Sequence, residues 1–136
     1  MQSFNILGAI CLTLLLSGCA TTVTKPSADV KQQFKLGQNC VQPVNLKVGE
    51  KISFSAAENP TTGYGWQLQQ PLNYLTANSQ YVADPVEKQI VGSGGTRTFY
   101  FTATQSGQEN IQLAYVRSWA KDQPAQSWQC QVNIQP

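Results

Sequence analysis

With 136 residues, 41% of them apolar and only 12% charged, the chain is expected to form one globular domain with a buried core rather than two. Nine basic and seven acidic residues give a formal charge of +2, scattered without runs, which excludes a nucleic-acid footprint. Histidine is absent, which removes Ser-His and Cys-His nucleophile pairs and most zinc sites, so no catalytic residue, metal ligand or cofactor is expected.

Residues Phe4 to Leu16 are mostly apolar and uncharged, a length that suits the hydrophobic part of a signal peptide better than a membrane span. They lead into Leu16-Ser17-Gly18-Cys19, which resembles the bacterial lipoprotein signal, although no Lys or Arg stands among the first residues. That resemblance implies removal of residues 1–18 and acylation of Cys19, several acyl chains giving a stable membrane anchor where one would not. An ordinary secretory signal cut elsewhere is the alternative. Ala20 and Thr21, with no aspartate after the cysteine, imply by the same pattern a place at the outer membrane of the bacterial cell envelope. Cys11 would leave with the signal, so Cys40 and Cys130 remain, and in an oxidising compartment two cysteines read as one disulfide. A reactive thiol is the rival, but no histidine exists to activate it.

Residues 19–33 are rich in Thr, Lys, Ser and Gln, show no apolar period and read as a flexible tether carrying the lipidated cysteine. From Phe34 to the end, residues 34–136, apolar and polar residues alternate in short runs, the period of strands. Leu46 is followed by a turn at Gly49-Glu50, then Ile52 and Phe54 alternate with Lys51, Ser53 and Ser55. Trp66 and Leu68 continue after a loop. Arg97 to Thr104 is the clearest strand, with Phe99, Phe101 and Ala103 on one face. Ile111, Leu113 and Tyr115 form the next, and Trp128, Cys130, Val132 and Ile134 share one face of the last. The expectation is an all-β, immunoglobulin-like β-sandwich of seven to eight antiparallel strands, a small barrel being the alternative.

Three loops stand out. Asn59-Pro60-Thr61-Thr62-Gly63-Tyr64-Gly65-Trp66 concentrates turn formers: Pro60 has no N–H for a sheet, Gly63 can take positive φ, and Thr61 and Thr62 would put two hydroxyls and two methyls at the tip. Gly92-Ser93-Gly94-Gly95-Thr96 has a backbone free of side-chain cover, suited to lie along another surface. A phosphate cradle would need a helix behind it, whereas a strand follows, and a merely flexible hairpin is the bland reading. Arg117-Ser118-Trp119 pairs two residue types enriched at binding hot spots, though position alone leaves Trp119 between core and contact. Trp66 and Trp128 are expected in the core.

In this order the loops resemble the chagasin family of cysteine-protease inhibitors, which carry NPTTGxxW, GxGG and RPW loops on an Ig-like sandwich; here they read NPTTGYGW, GSGG and RSW. The resemblance implies reversible, tight inhibition of papain-like cysteine proteases, the three loops (59–65, 92–96 and 117–119) occluding the cleft. Thr61 and Thr62 would meet the catalytic centre of the protease, with Asn59, Pro60, Gly63 and Tyr64 completing the central loop. Gly92, Ser93, Gly94 and Gly95 would line the cleft through backbone atoms, and Arg117 and Trp119 would brace the other side, the guanidinium reaching polar groups of the protease. Ser118 stands where the family has proline, which leaves that loop freer and raises its ordering cost. A monomer is expected. The competing reading is a non-inhibitory structural or assembly lipoprotein using the same sandwich; an enzyme would have to draw on carboxylates that form no recognisable pair.

Overall fold

A computed structural model describes residues 29–85 and 92–136. The signal segment, Cys11, Cys19 and all of the tether before Asp29 lie outside the described residues.

Eight strands follow in chain order: β1 Val30–Lys35, β2 Val44–Lys47, β3 Lys51–Glu58, β4 Tyr64–Leu68, β5 Leu75–Ala83, β6 Gly95–Ala103, β7 Gly107–Arg117 and β8 Gln126–Gln135. They form two four-stranded sheets, β1-β3-β6-β5 and β2-β8-β7-β4. Each sheet buries one face against the other, as the two-residue period requires. Ile52, Phe54 and Ala56 of β3 and Phe99, Phe101 and Ala103 of β6 face Ile111 and Leu113 of β7 and Trp128, Cys130, Val132 and Ile134 of β8. The all-β sandwich is as expected, and the alternation in β3, β6 and β8 sorts these side chains correctly.

Two features differ. Not every pairing is antiparallel: β1 runs parallel to β3, with Phe34 beside Phe54, and β2 runs parallel to β8, with Leu46 beside Ile134. The start of the domain thus lines the edge of one sheet, crosses over and lines the edge of the other. The expected boundary at residue 33 also falls inside β1, because Val30 to Gln33 extend the edge of β3 although their side chains are mostly exposed and show no apolar period. Strand β5 carries no clear sequence signal for the same reason. It pairs with β6 along its whole length, yet Leu75 is its one fully buried side chain.

Cys40 and Cys130 form a disulfide, as expected. It ties the β1–β2 crossover to β8, and the Trp128 indole N–H donates to the Gln38 carbonyl at 3.0 Å beside it. Trp66 and Trp128 are both core residues, each in ring contact with Phe54.

Candidate functional site

Strand β3 stops at Asn59, whose extended backbone hands over to a single 3-10 turn at Pro60–Thr62, and Gly63 at φ 80° returns the chain into β4. Proline suits the first position of that turn because its missing N–H has no partner there anyway, and only glycine takes the left-handed return without strain. Asn59 spends every polar atom inside the protein. Its Oδ1 accepts from the Thr61 N–H at 3.1 Å and the Thr61 hydroxyl at 2.6 Å, its carbonyl accepts from the Thr62 N–H at 3.1 Å and hydroxyl at 2.7 Å, and its own N–H donates to the Tyr115 hydroxyl at 3.0 Å. Both threonine hydroxyl protons are therefore used within the turn. What the exposed Thr61 and Thr62 offer outward is methyl groups and hydroxyl oxygens with acceptor lone pairs, their protons being already engaged.

The same asparagine reaches the glycine loop. Its Nδ2 donates to the Gly92 carbonyl at 2.8 Å, and Gly94 lies so close that an added Cβ would sit 3.2 Å from the Glu58 carbonyl and 3.6 Å from Asn59 Cβ. Glycine at 94 thus lets the two loops approach closely, where any side chain would be tightly packed. Gly92, Ser93 and Gly94 keep at least partial exposure. Gly95 does not: it is buried at the start of β6, paired with Glu58 and Ala83, with the Tyr81 ring and Val82 carbonyl where a side chain would go. Packing therefore requires glycine there, whatever its backbone meets at the end of the loop.

On the other flank, β7 ends at Arg117 opposite Tyr64, and the chain turns tightly, the Ala120 N–H donating to the Arg117 carbonyl at 3.0 Å. Trp119 projects with 71% of its surface exposed, far more than Trp66 or Trp128, and its ring lies over Gly63. The Arg117 guanidinium sits 4.5 Å from the Tyr64 ring centroid and 5.7 Å from that of Trp119. The three loops are one continuous edge, with the Asn59 loop in the middle, hydrogen-bonded to one neighbour and in contact with the other.

Beneath the edge lies a group that sequence reasoning passed over. Glu58, 3% exposed, accepts from Arg97 Nε at 3.0 Å and Nη2 at 2.6 Å through one oxygen and from the Trp66 N–H at 2.8 Å through the other. One carboxylate thereby joins the strand before the central loop, the strand after it and the strand that follows the glycine loop. A signal was present: Glu58 continues the inward series Ile52, Phe54, Ala56, and Arg97 begins the inward series of Phe99, Phe101 and Ala103. A buried and a half-buried charge of opposite sign on inward positions of two adjacent strands call for each other.

The Gly63 contact gives a direct test. Gly63→Ala must pay left-handed strain of about 1–2 kcal/mol and also displace the Trp119 ring, whereas Gly49→Ala, at φ 94° with nothing within 4 Å, pays strain alone. Gly63→Ala is expected to lose at least as much stability in urea as Gly49→Ala, and it alone should alter the fluorescence of the exposed tryptophan. Equal spectra in the two would mean the ring does not rest on Gly63.

Comparison with known proteins bears on the same residues. The family model described as "Chagasin family peptidase inhibitor I42" matches residues 45–134. Amoebiasin-1 of Entamoeba histolytica is 34% identical over 92 residues, covering 68% of this chain and 89% of the relative. The solution structure of Amebosin superposes with a TM-score of 0.61 at 32% identity, covering 76% of this chain and 97% of that one. The crystal structure of EhICP2, described as a cysteine protease inhibitor from the same amoeba, shares the fold with a TM-score of 0.62 at 23% identity, covering 76% of this chain and 96% of its own.

Proposed function

The chain belongs to the chagasin family of peptidase inhibitors, and on that premise we propose that it is a reversible, tight-binding inhibitor of papain-like cysteine proteases which fills the active-site cleft with residues 59–65, 92–96 and 117–119. The observation that carries the reading is the joined edge: Asn59 hydrogen-bonded to Gly92 on one side, Trp119 seated on Gly63 on the other. A protease cleft accepts extended peptide, and a thin edge already held rigid fills it with little ordering cost. Pro60–Thr62 is a hydrogen-bonded 3-10 turn, not an extended strand, so no peptide bond of the tip is laid out for cleavage. Thr61 and Thr62 meet the catalytic cysteine and histidine of the protease, Gly92 to Gly94 lie along the cleft through backbone groups, and Trp119 packs on its far wall.

The protein acts by binding and not by catalysis. Among the described residues the two buried carboxylates are committed to structure, Glu58 as described and Glu109 by accepting the Asn73 and Tyr74 N–H groups at 2.6 and 2.8 Å. It works as a monomer, tethered through acylated Cys19 to the outer membrane. Consistent with such a tether, β1 begins beside Lys51, at the opposite end of β3 from Asn59, so the chain enters about 26 Å from the inhibitory edge. The edge can then face away from the membrane.

The test is titration of papain, a cathepsin and an unrelated serine protease with the domain lacking residues 1–19. Inhibition is expected for the first two alone. Trp119→Ala is expected to cost about 2 kcal/mol of affinity and almost nothing in folding stability, given its exposure. No effect on either cysteine protease would sink the proposal.

A further inference from the structure

We infer that Arg117 is a positioning residue: its guanidinium is a spacer clamped between Tyr64 and Trp119 that fixes the exposed indole before any protease arrives. The inference rests on the inhibitory reading above only for its consequence in binding; the clamp itself is a property of the free protein.

The guanidinium lies within cation–π range of both rings, 4.5 Å from Tyr64 and 5.7 Å from Trp119. Tyr64 in turn stacks on Tyr115 at 5.2 Å and 28°, Tyr115 stacks on the buried Trp66 at 5.4 Å and 29°, and Trp66 meets Phe54 edge-on at 5.2 Å in the middle of the core. Trp119 is thus the last member of a continuous stack rooted in the sandwich. Each step is anchored by register, since Tyr64 faces Arg117 and Trp66 faces Tyr115 across the β4–β7 ladder. Arg117 Nε is buried with no hydrogen-bond partner among the described residues, so stacking, not hydrogen bonding through that nitrogen, holds the group. Ser118 is exposed and has no ring to fix φ, so the turn is closed by the Ala120–Arg117 hydrogen bond and leaves the orientation of the indole to its side-chain contacts. Gly63 supports the indole from below and Arg117 from the side. A planar cation is the suitable spacer, because it stacks on aromatic faces where a lysine ammonium would stay hydrated.

This assigns Arg117 a role different from direct contact with polar groups of the protease, and the two roles part in experiment. Trp66 and Trp128 are buried, so acrylamide quenching of the free domain reports on Trp119. Arg117→Ala and Tyr64→Leu are expected to raise the quenching constant, while Tyr64→Phe, which keeps the ring, leaves it unchanged. Against papain, Arg117→Ala is expected to weaken binding about fivefold to tenfold in the parent background. In a Trp119→Ala background it should cost less than about twofold, because the ring it positions is gone. A loss of equal size in both backgrounds, or unchanged quenching in Arg117→Ala, overturns the inference. Should the domain fail to inhibit papain at all, the inhibitory reading falls while quenching still decides the clamp.

Discussion

Arg97→Met is expected to lower the stability of the domain by about 3–5 kcal/mol, the usual cost of leaving one member of a buried ion pair without its partner. The Glu58 carboxylate is 3% exposed and cannot turn to water, whereas the Arg97 side chain retains 26% exposure, so the stranded charge is the acidic one. Adding Glu58→Gln to Arg97→Met removes that charge and keeps an acceptor for the Trp66 N–H, and should recover at least about 1 kcal/mol. Urea unfolding of the two variants measures this, with unchanged slopes ensuring that the midpoints report stability. A double variant less stable than Arg97→Met alone would mean that Glu58 is held by something other than Arg97. The consequence reaches the inhibitory edge because Glu58 precedes Asn59 and grips the strand after the loop. At temperatures where Arg97→Met is still folded, its affinity for papain is expected to fall as well.

Replacement of both Cys40 and Cys130 by alanine is expected to cost about 3–5 kcal/mol, since the bridge closes a sequence separation of 90 residues and so restricts the unfolded chain strongly. The folded molecule would feel the loss locally. Strands β1 and β2 each pair with one neighbour only, along a sheet edge, and the crossover between them is held to β8 by the disulfide and by the Trp128–Gln38 hydrogen bond. Hydrogen exchange should therefore quicken first in residues 30–47, while the central pairs β3–β6 and β7–β8 keep their protection. The inhibitory edge is built on β3, β4, β6 and β7, so affinity for papain in the folded variant is expected to stay within about twofold of the parent. A large affinity loss without unfolding would show that the crossover supports the edge.

How far these features could be read beforehand varies with their physics. Phe99, Phe101 and Ala103, like Trp128 to Ile134, alternate in sequence because one face of their strand is buried along its length, and such strands declare themselves. Strands β1 and β5 sit at sheet edges, where most side chains meet water on both faces, so their pairing leaves no period to find. The turn at Asn59–Gly63 was legible because proline and glycine have narrow backbone requirements. The direction of its hydroxyls was not, since that depends on which acceptors the fold brings near.

The amino-acid sequence by itself determined the class of fold, the three loops and their family, and the cysteine pair of the domain, Cys40 and Cys130, because each of these depends on local residue type, spacing or count. Only the tertiary structure decided which loop residues are free to meet a partner. Gly95 and Asn59 turn inward, Trp119 outward, and Arg117 lies between two rings, and none of this follows from neighbours in the chain. It follows from strand register, which sets residues dozens of positions apart face to face. The Glu58–Arg97 pair, 39 residues apart, is the sharpest case: each charge alone reads as an error in a buried series, and only the pairing of β3 with β6 makes both of them structural.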